Sequence, residues 1–251
     1  MSGSGDSSAR LPPGLPGEFT TTHWSVVLAA AQQESPQAAE ALETLCRSYW
    51  YPLYAFVRRR GSSPEDAQDL TQGFFAHLLR KDFLHGVGPE KGRFRSFLLA
   101  CLKHFLADEW EKACTAKRGG TGPELLLDLE QAEERYQLEA RVEATAETLF
   151  ERRWALDLLD HVLDRLRNEA VSSGREAVFD QLQGCLLGER PTKTYAELGT
   201  RLGLSETAVK VTVHRLRQRY RELLREEIAQ TVARPEEIDE EMHYLFEVVS
   251  R

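Results

Sequence analysis

Apolar residues recur every three or four positions along most of this chain, and this spacing is the feature that most constrains its fold. Between residues 36 and 60, for example, the spacing of Leu42, Leu45, Tyr49 and Phe56 predicts one apolar face of a helix. No segment shows the apolar–polar alternation that is typical of a β-strand. The sequence therefore predicts an all-α fold, in two small helical domains joined by an acidic linker.

The predicted boundaries follow changes in composition. Residues 1–18 are rich in Gly, Ser and Pro and are predicted to be a disordered tail. Residues 19–120 form the first predicted helical domain, residues 121–150 the acidic linker and residues 151–231 the second helical domain. Residues 232–251 form an acidic C-terminal extension with apolar residues at helical spacing. This extension is expected either to pack on a domain and shield a cationic helix from DNA, or to be disordered.

The formal net charge is −8, from 32 Lys and Arg against 40 Asp and Glu, which by itself argues against a nucleic-acid partner. The sum hides an alternation along the chain. The counts of basic and acidic residues are 13 and 9 (net +4) over 41–120, 4 and 11 (net −7) over 121–160, 8 and 5 (net +3) over 191–230, and 2 and 6 (net −4) over 231–251. Two cationic stretches separated by an acidic one therefore allow parts of the chain to bind DNA.

Several classes of protein are excluded by what the sequence lacks. No apolar run approaches the roughly 20 residues that cross a bilayer, and the first residues lack the apolar core of a signal peptide. The four cysteines include no Cys-x-x-Cys pair, which fits a reducing compartment and no disulfide framework. Together these features predict a cytoplasmic protein that does not bind a membrane. Cys101, His104 and Cys114 form a conceivable metal constellation, for which packing in the core is the favoured interpretation. The sequence shows no Ser/His/acid set and no paired carboxylates in an apolar context, so we predict no enzyme, no cofactor and no metal.

The strongest local signal lies between Tyr195 and Leu224. Gly199 permits the close approach of a crossing helix, Gly203 suits a left-handed turn position, and Ser205 is placed to cap the next helix. This pattern predicts a helix-turn-helix, and the alternative is an ordinary helical hairpin with a solvated basic face. The residues predicted to contact base edges and phosphates are Thr207, Lys210, Val211, His214, Arg215, Arg217 and Arg221.

A second cationic stretch, residues 92–120, interleaves basic residues with Phe94, Phe97, Phe105 and Trp110. Aromatic rings beside cations suit unstacked, single-stranded bases, although most of the Phe and Leu residues are expected to be core. The residues predicted to bind DNA in this stretch are Arg93, Arg95, Lys103, His104, Trp110, Lys112, Lys117 and Arg118.

With an acidic segment between them, these stretches resemble the extracytoplasmic-function branch of bacterial RNA polymerase sigma factors. The resemblance covers about residues 40–118 and 150–228. In the first half, SYWYPLYAFVRRRGSSPEDAQDLTQGFFAHLL is similar to the polymerase-binding region of that family. The following FRSFLLACLKHFLADEWEKACTAKR is similar to the helix that melts and reads the promoter element nearest the start site. In the second half, YAELGTRLGLSETAVKVTVHRLRQRYREL is similar to the helix-turn-helix that reads the upstream element.

The resemblance implies a promoter-specificity subunit without catalytic chemistry of its own. It implies binding to core RNA polymerase, on the clamp helices of β′ and the flap of β, and to promoter DNA. An anti-sigma factor or a Ser/Thr kinase is a further candidate partner. The residues that the resemblance places at the polymerase are Glu65, Asp66, Asp69, Gln72 and Phe75.

The chain departs from the family pattern in three places. Gln68 and Gly73 stand where acidic residues are usual, and His104 replaces the usual Asn of the promoter-reading helix. A phosphate on the neighbouring Thr71 would return negative charge to the polymerase-binding helix, so Thr71 is a predicted phosphosite. The alternative is that Thr71 is an unmodified helix residue.

A different class of protein also accounts for the second half of the chain. A stand-alone helix-turn-helix regulator with a helical sensing domain explains the helix-turn-helix equally well. It leaves the segment DAQDLTQGFF and the aromatic–basic stretch at residues 92–120 unexplained. For the acidic segment, two interpretations are open: it occupies a cationic channel of the polymerase, or it is a solvated spacer.

Overall fold

The computed structural model describes residues 23–31, 36–80, 84, 87–115, 129–139, 144–186 and 194–250. Within these ranges the chain forms α-helices and short 3-10 turns without a β-strand, which confirms the predicted all-α class. The predicted tail, residues 1–18, lies outside the described residues. In chain order the helices are α1 (Trp24–Ala30), α2 (Pro36–Arg59), α3 (Pro64–Arg80), α4 (Phe94–Thr115), α5 (Leu129–Glu139), α6 (Ala146–Ser172), α7 (Glu176–Leu182), α8 (Tyr195–Leu202), α9 (Glu206–Ala229) and α10 (Ile238–Ser250).

Polar side chains cap the first turns of several helices, and Ser205 does so at its predicted position. Ser63 Oγ accepts a hydrogen bond from the Asp66 amide at 3.1 Å, at the start of α3. Thr194 and Glu197 form a reciprocal capping box at the start of α8, and Ser205 caps α9. These bonds satisfy amide groups that have no partner inside the helix, so the local sequence sets where each helix begins.

The main core is centred on α2, which packs against α1, α3 and α6. The ring of Tyr49 on α2 meets Phe94 of α4 edge to face, with ring centroids 5.7 Å apart. On α6, Phe150 stacks on the same tyrosine, with centroids 6.4 Å apart. Both are favoured arrangements of aromatic rings, so Tyr49 joins α2 to α4 and α6.

The C-terminal helices pack on this same core. Helix α6 contacts both α9 and α10, and Leu224 of α9 and Leu245 of α10 are buried in one cluster with residues of α2 and α4. The Trp24 indole of α1 donates to the backbone carbonyl of Thr231, just beyond α9, at 3.1 Å. In this structure both halves of the chain therefore contribute to one core, while the domain boundaries themselves stay a prediction.

Helix α5 differs from the expectation for the acidic linker. The Glu-rich composition predicted a spacer outside the core, but Ala132 and Tyr136 of α5 are buried in it. Glu133 accepts a hydrogen bond from the Tyr54 hydroxyl at 2.6 Å and pairs with Arg58 at 2.7 Å, and the Arg58 hydrogen bond lowers the pKa of Glu133 to about 2. Because Ala132 and Tyr136 lie four residues apart, they give α5 a narrow apolar face that the average composition conceals.

A second, smaller hydrophobic cluster holds the helix-turn-helix together. Its buried residues come from α7, the following 3-10 turn, α8 and the first half of α9, and Leu216 packs against both clusters. The second half of α9 belongs to the main core, so α9 connects the two clusters. The buried members of the smaller cluster are Leu182, Cys185, Leu198, Val209 and Val213.

Candidate nucleic-acid interface

The turn between α8 and α9 has the geometry that its glycines predicted. Gly203 adopts φ +67°, in the left-handed region, at the end of α8. A Cβ on Gly199 would lie 2.6 Å from the backbone carbonyl oxygen of Leu204, and the Leu204 amide donates to the Gly199 carbonyl at 2.9 Å. The backbone of the turn therefore lies directly against α8, which sets the angle at which α9 leaves it.

One face of α9 is open to solvent over its first four turns. It presents a polar and cationic surface with one apolar side chain, Val211. An exposed apolar side chain of this kind suits contact with a thymine methyl group. Lys210 pairs with Glu206 at 2.7 Å in an exposed i, i+4 contact. The predicted DNA-contacting residues that the structure brings together on this exposed surface are Thr207, Lys210, Val211, His214, Arg215 and Arg221.

Arg217 is exposed, and in this structure its guanidinium also hydrogen-bonds within the protein, while its predicted DNA contact stays a prediction. Its Nε and Nη2 donate to the Cys185 carbonyl at 3.0 and 2.6 Å, in the 3-10 turn after α7. The reason is its place on the helix, four residues after the buried Val213, which turns its base toward the smaller cluster. Arg217 thus links α9 to the turn after α7 from the exposed side of the helix.

Most of the aromatic–basic stretch forms α4. Its exposed aromatic ring, Trp110, lies in the second half of that helix. Trp110 is 71% exposed, the largest exposure among the large hydrophobic side chains of the described residues. His104 is exposed nearby on the same helix, whereas Lys103 pairs with Glu147 of α6 at 2.8 Å and Lys112 with Glu109 at 2.7 Å. Lys117 and Arg118 lie outside the described residues. The surface around Trp110 is therefore the part of α4 that can stack on a base.

Arg95, at the start of α4, is a correction to the predicted DNA contacts, because its side chain is only 3% exposed. It lies between Glu151 of α6 at 2.7 Å and Glu241 of α10 at 2.5 Å, with its guanidinium 3.9 Å from the centre of the Trp154 ring. Burial by itself would lower the pKa of Arg95, but the two carboxylates outweigh it and raise that pKa.

Arg93 lies two residues earlier and is half-buried. Its Nη2 contacts the second oxygen of Glu241 at 2.5 Å. Neither arginine therefore faces solvent as a free cation in this structure. Arg95 is buried because it lies three and seven residues before Leu98 and Leu102, which places it on the buried face of α4.

Sequence reasoning did not find Glu241 or Glu151 as the partners of these arginines. A signal for Glu241 exists: it lies between Ile238 and Leu245 at spacings of three and four, on the apolar stripe of α10. A carboxylate on a buried stripe requires a cation, so the stripe predicts an ion pair without naming the partner.

The predicted polymerase contacts divide into two groups. Glu65, Asp66 and Asp69 are exposed on the first turns of α3 and form an acidic surface. Gln72 and Phe75 are buried, and Phe75 belongs to the main core, which corrects its expected place on the docking surface. Phe75 lies one residue beyond the buried Phe74, at a part of α3 that is enclosed on several sides.

Thr71 is fully buried, and its hydroxyl donates to the Ala67 carbonyl at 2.7 Å. The structure therefore differs from the expectation of an accessible phosphosite. A kinase reaches this hydroxyl only if the surroundings of α3 open first.

A buried charged network joins α5 to α2 and α6. The Tyr51 hydroxyl donates to Glu139 at 2.9 Å, and Arg135 contacts Asp157 at 3.1 Å. Arg153 pairs with both carboxylates. Burial raises the pKa of Glu139 to about 7 and that of Asp157 to about 6, since it disfavours the ionised form of both carboxyls.

The described residues contain no helix that is long and apolar enough to cross a membrane, and no cluster of three or more His, Cys, Asp or Glu side chains placed to hold a metal ion. The side chain of Cys114, one of the three residues of the conceivable metal constellation, lies outside the described part.

Comparison with known families finds a match for a segment in the first half of the chain. Residues 45–114, which run from the middle of α2 to the end of α4, match the family model of sigma-70 region 2. The chain carries a sigma-70 region 2. This finding supports its identification as a sigma-70 family RNA polymerase sigma factor and a role in promoter recognition and melting.

Region 2 thus contains both the acidic surface of α3 and the exposed Trp110 of α4. A sigma factor of this family binds core RNA polymerase and promoter DNA. No curated protein matches the chain, and no solved structure matches it.

Proposed function

We propose that this protein is an extracytoplasmic-function type sigma factor that binds core RNA polymerase and directs promoter recognition, DNA melting and transcription initiation in the cytoplasm. The observation that carries the proposal is the sigma-70 region 2 over residues 45–114, followed by a helix-turn-helix whose α9 presents a cationic face. The protein supplies no catalytic chemistry. The polymerase performs the reaction, and this chain selects where it begins.

Each exposed surface has one role in the proposal. The acidic start of α3, with Glu65, Asp66 and Asp69, docks on a basic surface of the polymerase. The exposed face of α9 reads the upstream element as duplex DNA in the major groove. The second half of α4 holds the downstream element after its strands separate, with Trp110 as the stacking platform.

The experiment that tests this proposal is in vitro transcription with core RNA polymerase on genomic DNA, with start sites mapped. We expect transcripts that depend on this protein and start downstream of a shared pair of sequence elements. The stand-alone regulator, which is the second candidate, predicts DNA binding without transcripts from core polymerase alone. The region 2 match favours the sigma factor over this candidate. Regulation by an anti-sigma factor or by a Ser/Thr kinase stays a prediction from the sequence.

Trp110→Ala is expected to lower open-complex formation about tenfold or more, because stacking of a base on an aromatic ring contributes about 1–3 kcal/mol. Its free energy of unfolding should stay close to that of the wild type, since the ring is 71% exposed. Permanganate reactivity of unpaired thymines, on promoters recovered by the transcription experiment, measures the opening. Trp110→Phe should retain most of the promoter opening. Leu138→Ala, at an exposed position on α5, serves as a control. Full opening by the alanine variant would remove Trp110 from the melting surface.

Arg221→Ala should weaken binding to duplex DNA and reduce the slope of log K against log salt by about one, the value for one lost phosphate contact. The matched control is Arg217→Ala. Arg217 lies on the same helix, but its side chain donates to the Cys185 carbonyl. This variant should leave the salt slope unchanged while it lowers stability. Fluorescence anisotropy at several salt concentrations gives both slopes. A reduced slope in Arg217→Ala would instead support the contact that the sequence alone predicts.

A further inference from the structure

Helix α10 reaches both candidate DNA-reading helices, as α6 does. It packs on α6 and α9 through the buried side chains of Met242, Leu245 and Val248. The region 2 match ends at residue 114, so α10 lies far outside it along the chain. The apolar side chains account for its docking on α6 and α9, but its contact with α4 is ionic.

Glu241 makes this ionic contact with the start of α4. Its carboxylate is fully buried, and its two oxygens lie 2.5 Å from Arg93 Nη2 and 2.5 Å from Arg95 Nη1. The neighbouring Tyr244 ring faces both guanidinium groups, with its centre 5.2 and 5.4 Å away. Helix α10 therefore gives these arginines an anion and an aromatic face, as a phosphate and a base would.

A second acidic residue of α10 reaches the other cationic helix. Asp239 pairs with Arg225 of α9 at the exposed edge of the contact. Helix α10 thus pairs with cations of both α4 and α9. Both helices also bury side chains in the main core, so apolar packing and these pairs together hold them in one arrangement.

This arrangement conflicts with the proposed reading of two separate promoter elements. A protein that binds one element with α4 and another with α9 must place the two helices according to the spacing of the DNA. In this structure their placement is set by the protein, and two arginines of region 2 are neutralised. The pairs join charged groups that are buried together, so removing the charge of Glu241 should weaken this arrangement strongly.

We propose that α10 is an autoinhibitory latch, in which Glu241 holds Arg93 and Arg95 and keeps α4 and α9 together until the protein binds core RNA polymerase. The proposal rests on the sigma-factor function for the event that releases the latch, but the closed state itself is a property of the free protein. If only the open form binds the polymerase, the apparent affinity equals the affinity of the open form multiplied by the fraction of molecules that are open.

The first test compares Glu241→Gln with Glu240→Gln in the full-length protein. Both variants remove one negative charge from α10 at adjacent positions, but Glu240 is exposed while Glu241 contacts the two arginines. For a labelled DNA duplex of arbitrary sequence, we expect Glu241→Gln to bind about five- to tenfold more tightly than wild type. Its salt slope should be steeper by up to about one, because Arg93 becomes available to phosphates while Arg95 keeps its pair with Glu151. Glu240→Gln should stay within about twofold.

Small-angle scattering should also show a larger radius of gyration for Glu241→Gln than for Glu240→Gln. Equal DNA affinities, salt slopes and radii for the two variants would overturn the latch. This comparison needs no polymerase, so it separates the latch from the sigma-factor function.

A second measurement covers the case in which Glu241→Gln fails to fold. Hydrogen exchange of the wild-type protein is followed over residues 238–250 with and without core RNA polymerase. The latch predicts that the protection of α10 is lost when the polymerase is added, while the main core around Phe150 stays protected. If transcription depends on the protein but α10 stays protected in the complex, the latch is wrong and the function stands. If the polymerase does not bind, the function fails, and the comparison of the two glutamine variants still decides the latch.

Discussion

Arg95→Ala is expected to lower the free energy of unfolding by about 3–5 kcal/mol, the usual cost of removing one partner from a buried ion pair. The guanidinium neutralises two carboxylates and covers the Trp154 ring. Its loss leaves Glu151 without its charge partner and Glu241 with Arg93 alone. Because Glu241 is fully buried, it cannot recover the missing interaction from water.

Urea denaturation followed by circular dichroism measures this effect. The matched control is Arg47→Ala, which removes an arginine whose pair with Glu43 lies on the exposed side of α2. An exposed i, i+4 pair contributes about 0.3–0.5 kcal/mol, so this variant should unfold almost like the wild type. A stable Arg95→Ala protein with weakened promoter binding would return Arg95 to the DNA-contacting residues that the sequence predicted.

Gly199→Ala is expected to destabilise the helix-turn-helix by about 3 kcal/mol, since overpacking against a rigid neighbour costs about 1–3 kcal/mol or more. The added Cβ would lie 2.6 Å from the Leu204 carbonyl oxygen, which is backbone and cannot rotate away. The crossing of α8 and α9 must therefore open. Duplex DNA binding should fall with it, because the exposed face of α9 loses its place relative to α8.

The effect of Gly199→Ala should be local, because the smaller cluster is separate from the main core apart from Leu216. Hydrogen exchange should show faster opening of α8 and the first half of α9, with α2 and α6 unchanged. Gly184→Ala is the matched control, since a Cβ at that position would meet nothing within 4 Å. If Gly199→Ala binds DNA and exchanges like Gly184→Ala, the close approach at Gly199 does not control the motif.

Local sequence was sufficient for the parts of the molecule that depend on a few neighbouring residues. Ser205 caps α9 as predicted, and Gly199 and Gly203 form the predicted turn. These features rest on hydrogen bonds and backbone angles within three to five residues, so the sequence contains all of their partners. The exposed residues of α9 and Trp110 follow from the same helical periodicity.

Charge alone did not separate cations that face solvent from cations that hold the protein together. Arg95 and Lys210 look alike in the sequence, yet one is buried between two carboxylates and the other is exposed. The same holds for α5, whose acidic composition concealed the buried Tyr136. In each case the partner comes from a distant part of the chain.

The sequence by itself therefore determined the helices, their caps, the helix-turn-helix and the sigma-70 resemblance, because each of these is encoded over short stretches. Only the tertiary structure decided that Arg93 and Arg95 bind Glu241, that α5 joins the core and that both halves share it. The physical reason is that apolar burial brings helix faces together from distant parts of the chain. A charge on those faces must then pair with whatever the packing places opposite it.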